Sequence, residues 1–81
     1  MMEEDIMNEI QQSKGTFVEE HLFPFLQAMD ERIDTAAYHV VKSTSMDLEY
    51  VLITWKDGQS RRIYVTATNL IAMSRDILRA L

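Results

Sequence analysis

The chain has 81 residues, two histidines, no cysteine, and 13 acidic against 8 basic side chains, for a formal net charge of −5. One domain is the most such a length can form, and a chain this short hides only roughly 60% of the surface that its unfolded form exposes. Disulfides, thiolate metal sites and cysteine nucleophiles are excluded; no cofactor or metal is expected, and a second copy is the natural supplement to so thin a core.

In chain order, Met2, Ile6, Met7 and Ile10 recur at helical spacing among acids and amides, which predicts a first helix from Glu3 to about Ser13. Gly15 is its expected stop. Thr16-Phe17-Val18-Glu19 reads as a capping box, opening a second helix from about Phe17 to Arg32. The apolar stripe of that helix is Val18, Leu22, Phe25, Leu26, Met29 and Ile33, with Met29 as an adaptable core filler. Pro24 lies on the opposite side; either it bends the helix with its ring toward solvent, or the helix breaks and restarts with Pro24 in its first turn.

From Thr35 the pattern becomes that of strands. Residues Ala37 to Lys42 are rich in β-formers, Ser43 to Asp47 make a turn, and Leu48 to Trp55 is the strongest strand. Asp57-Gly58 marks a hairpin leading to a third strand, Arg61 to Thr66. A two-residue turn there would set Ile53 opposite Arg62. A three-residue loop, Lys56-Asp57-Gly58, sets Val51 opposite Ile63 and Leu52 opposite Arg62. The second register is chosen because it collects Val51, Ile53, Trp55, Ile63 and Val65 on one apolar face. After Thr68 as N-cap, Leu70, Ile71, Ser74, Ile77, Leu78 and Leu81 form the inner stripe of an amphipathic helix. The expected fold is therefore α+β, in the order α-α-β-β-β-α: an antiparallel meander with helices packed on one sheet face. It is read as one domain, 1–81, with core 16–81 and an N-terminal helix, 1–14, able to detach or to exchange in a dimer.

No catalytic signature is present, and an enzyme is not expected. His21 sits on a helix beside Glu20, His39 within a strand, and neither has a nucleophile motif around it. Adjacent carboxylates such as Glu19-Glu20 point about 100° apart on a helix and do not converge on one substrate. The two glycines are too far apart for a phosphate loop. The order helix, three strands, helix is similar to that of the double-stranded-RNA-binding domain. The lysine cluster with which such domains open the last helix is replaced here by Thr66-Ala67-Thr68-Asn69, and a chain of net −5 lacks the basic footprint, so direct nucleic-acid binding is not expected. The acidic start, Met1-Met2-Glu3-Glu4-Asp5, has no basic n-region, and no apolar run is long enough to span a membrane; a cytoplasmic protein is expected.

Two surfaces remain. The chosen register puts Tyr50, Leu52, Thr54, Arg62, Tyr64 and Thr66 on the outer sheet face, where tyrosine and arginine with a dry leucine between them suit a protein interface. That face is expected either to be covered by the first helix through Met2, Ile6 and Ile10, or to meet a second copy or a foreign protein. The expected function is a non-enzymatic interaction module, acting as a homodimer or as an accessory subunit of a complex. The second surface is acidic: residues 1–34 carry nine acids against two bases. Glu3, Glu4, Glu19, Glu20, Asp30 and Glu31 would present it to a basic protein, giving as the alternative function a small inhibitor, similar to phage anti-defence proteins, that blocks a nucleic-acid site.

Overall fold

A computed structural model describes residues 8–66 and 69–81. The helix start is set by Asn8, whose side chain accepts from the Gln11 amide at 2.8 Å while the Gln11 side chain accepts from the Asn8 amide at 3.0 Å. Helix α1 (Glu9–Phe17) runs without a break through a wide π turn (Val18–Leu22) into α2 (Phe23–Met29). The two N-terminal helices expected from the sequence are thus one helix over residues 9–29. Gly15 does not stop it, because the backbone stays right-handed helical through Phe17 and Val18 and the Val18 amide bonds back to Gly15 and Lys14. What Gly15 provides is a close approach, since a Cβ there would meet the Tyr38 ring at 3.5 Å.

The π turn has a local cause. Pro24 has no amide to give to the fourth residue before it, and its ring would crowd that carbonyl in a regular α-helix. The Phe23 amide bonds instead to the Val18 carbonyl, five residues back, and the widened turn carries the helix past the proline, whose ring is exposed. The extra residue in that turn also resets the helix phase. Buried positions follow Val18, Leu22, Leu26, whereas Phe25 is 52% and Met29 60% exposed, so both leave the expected stripe. The helix ends at Met29, short of Arg32, where Asp30 turns extended. Arg32 donates its backbone amide and its Nε to Asp30 Oδ1 and its Nη2 to Oδ2, at 2.9–3.0 Å, and this hook reverses the chain into the sheet.

The sheet is antiparallel in the order β1 (Ile33–Val41), β2 (Leu48–Trp55), β3 (Ser60–Tyr64). Strand β1 begins four residues before the Ala37 start expected, with a bulge between Ile33 and Thr35. Val51 pairs with Ile63 and Leu52 with Arg62, the three-residue-loop register. Gly58 holds that loop at φ +93°, a conformation that costs a side-chain-bearing residue free energy, and the Gln59 amide bonds to Asp57. Strand pairing ends at Tyr64, although Val65 is still buried and its amide bonds to the Glu49 carbonyl. Helix α3 (Leu70–Ala80) is capped by Asn69, which accepts from the Ala72 amide; the expected cap, Thr68, lies outside the described residues.

One core joins both helices to one sheet face: Val18, Leu22 and Leu26 from the first, Met73 and Ile77 from α3, and Ile33, Ala36, Tyr38, Val51, Ile53, Ile63 and Val65 from the sheet and its end. Met73 is fully buried, but Ile71, placed in the inner stripe by periodicity, is 81% exposed. The molecule is a two-layer α+β fold with its helices on one face of the sheet.

The open sheet face and the polar clamp behind it

Strand alternation places Thr35, Ala37, His39 and Val41 beside Leu48, Tyr50, Leu52 and Thr54 on the face turned away from the helices, with Ser60, Arg62 and Tyr64 on β3. Three rings cross it in a row. His39 stacks on Tyr50 with centroids 5.2 Å apart, and Tyr50 meets Tyr64 at 5.7 Å and 53°. The Arg62 guanidinium lies 4.8 Å from the centre of the Tyr50 ring, a cation–π contact. The register thus brings together Tyr50, Leu52, Arg62 and Tyr64, as the sequence implied, and adds His39, which periodicity placed in a strand without showing its face.

The first helix does not cover this face among the described residues. Gln11, Lys14 and Val18 turn toward the opposite side of the sheet, and Ile10 is exposed. Ile6, together with Met2, lies outside the described residues. The expected acidic surface is divided in the same way. Glu3 and Glu4 lie outside the described residues; Glu19, Glu20 and Glu31 are exposed. Asp30 is not a free carboxylate, because the Arg32 side chain and then its backbone amide hold it down to about 2.

On the helix side, sequence reasoning missed a polar cluster. Gln11 and Lys14 are the buried residues of α1, at 3% and 2% exposure. Lys14 Nζ donates to Glu49 Oε1 at 2.6 Å, and the Tyr38 hydroxyl donates to the same oxygen at 2.5 Å. Gln11 Nε2 donates to Asp47 Oδ2 at 2.8 Å, and Lys42 Nζ donates to both Gln11 Oε1 and Asp47 Oδ2 at 2.9 Å. Burial and the Glu49 hydrogen bond push the Tyr38 hydroxyl far up from its ordinary range; hydrogen bonds from Gln11 and Lys42 draw Asp47 down. The signal was in the spacing, since positions 11, 14, 18 and 22 lie on one helical stripe. With two ammonium groups against two carboxylates joining α1 to β1, β2 and the turn between them, the cluster is a clamp that seats α1 on the sheet.

Both depressed carboxyls make stability depend on acid. A carboxyl lowered by folding contributes stability that is fully present above its unfolded value, 3.8, and lost as pH falls through the folded value. The urea midpoint is therefore expected to be flat down to about pH 5 and to drop below about pH 4, less steeply in Asp30→Asn. An Asp30→Asn variant as acid-sensitive as the wild type would show that the hook contributes nothing.

A shallow apolar groove lined by Phe17, Leu70, Ile71, Ser74 and Leu78 runs between the helices, with Arg75 and Arg79 at its edge. Among the described residues no three His, Asp or Glu side chains gather as metal ligands, and no helix is long and apolar enough to cross a membrane. No protein-family profile, curated protein or solved structure matches the chain.

Proposed function

We propose that the protein is a non-enzymatic interaction module, acting as a homodimer or as an accessory subunit of a complex, with the outer sheet face as its contact surface. The observation that carries this reading is the row His39–Tyr50–Tyr64, its outer rings exposed and Tyr50 half-buried between them, with Arg62 on it. A free antiparallel face normally alternates to polar side chains. Here Val41, Leu48 and Tyr64 are exposed on one face, with Leu52 half-buried among them. Rigid aromatic rings lose little side-chain entropy on binding, and tyrosine and arginine are enriched among the residues that dominate interface energetics. The acidic-inhibitor alternative has less behind it, because Asp30 is neutralised within its own chain.

The test is mass in solution by light scattering behind size exclusion, at two protein and two salt concentrations, for the wild type and Tyr64→Ala. Tyr64 is 56% exposed, so its loss should leave the fold intact. Truncating a central interface tyrosine is expected to weaken association by roughly 2 kcal/mol. An oligomer that dissociates in Tyr64→Ala supports the reading; one indifferent to it removes the outer face as the contact surface. A monomeric wild type restricts the module to the accessory role.

A further inference from the structure

We infer that the outer sheet face receives an acidic segment of a partner protein, whose carboxylate pairs with Arg62; this rests on the interaction-module reading and names its partner. Three observations point the same way. First, among the described residues the strands put no carboxylate on this face from Thr35 onward. The acids within the strands are Asp34, in the bulge at the start of β1, and Glu49, which faces the helices and is taken by Lys14. Second, Arg62 is exposed and its charged head is pinned by the Tyr50 ring, so it is positioned before binding and loses little freedom on meeting an anion. Third, Ala37 and Leu52 are paired neighbours on the same face and make an apolar floor beside that cation. A carboxylate next to apolar side chains matches this arrangement.

Other occupants match it less well. A second copy laid face to face brings the same side chains, and among the described residues the strands put no carboxylate on that face to meet Arg62. A nucleic acid needs a row of cations for its phosphates, and Arg62 is the one lysine or arginine that β1, β2 and β3 place on this face. The chain's net charge does not prohibit an acidic ligand. Glu9, Glu19 and Glu20 are exposed on the helix layer, behind the sheet, and the Debye length at physiological salt is about 8 Å.

The probe is a random poly(Glu,Tyr) copolymer, titrated against the full chain at low and physiological salt, with an oligo-dT strand as competitor. The wild type is expected to bind the copolymer more weakly as salt rises. Arg62→Gln is expected to lose at least about fivefold in affinity, while Arg79→Gln, an exposed arginine of α3, stays within about twofold. Circular dichroism and the thermal midpoint establish that both variants are folded. The inference is overturned if the copolymer does not bind, if Arg79→Gln loses as much as Arg62→Gln, or if oligo-dT displaces it. A self-associated chain that Tyr64→Ala dissociates, but that ignores the copolymer, would sink this inference and leave the interaction-module reading standing. Tyr64→Ala without effect on any association would sink the reading itself.

Discussion

Lys14→Met is expected to destabilise the fold by about 2–3 kcal/mol, although methionine is as good a helix former as lysine and nearly as large. The substitution leaves the Glu49 carboxylate facing the Tyr38 hydroxyl without its cation, in a site where the Lys14 side chain is 3% and the Glu49 side chain 19% exposed. Breaking a buried pair from one side costs more than the pair contributes, because a charge remains that the interior cannot solvate; the partial exposure of Glu49 keeps the loss below the largest such values. In a domain of this size the thermal midpoint should fall by roughly 10–20 °C. Adding Glu49→Leu and Tyr38→Phe removes the stranded charge and its donor, and should recover most of the loss. An unchanged midpoint in Lys14→Met would mean that the ion pair is a bystander and that α1 is held by other contacts.

The second large effect concerns neighbouring residues. Leu26→Ala should cost about 3 kcal/mol and Phe25→Ala less than about 1 kcal/mol, read as the shift in urea midpoint at constant slope. Leu26 is fully buried between helix and sheet, where truncation leaves a cavity, while Phe25 faces water. Comparable costs at the two positions would contradict the helix phase set by the π turn.

These two predictions mark where sequence reading succeeded and where it did not. The sheet was legible because period-two alternation and a glycine-bearing hairpin leave few registers with one dry face, so Tyr50, Leu52, Arg62 and Tyr64 came out together. The N-terminal helix was misread at Gly15, where a close tertiary approach rather than a stop explains the glycine; at Pro24 the sequence left two courses open, and the helix takes the continuing one, with the ring exposed. Gly15 lies under the Tyr38 ring inside a continuing helix, and Pro24 is absorbed by one wide turn. That turn has no sequence signature beyond the proline, yet it decides that Leu26 and not Phe25 reaches the core. The polar clamp was hidden for a different reason. Polarity argues for a solvent-facing position, and only the partners supplied by Tyr38, Lys42, Asp47 and Glu49, from a distant part of the chain, make burial of Gln11 and Lys14 affordable.

Because Tyr50 and Leu52 sit on the back of the strand whose Val51 and Ile53 fill the core, a ligand on the open face clamps the same strand that the core depends on. Whatever binds there binds the folded chain alone, so occupancy must raise the melting temperature. A ligand at a hundred times its dissociation constant adds about 2.7 kcal/mol, or roughly 10–20 °C in a domain this small. A two-layer fold whose outer side is open among the described residues is thus its own detector: candidate partners can be ranked by heating the mixture, before anything is known of the complex they form.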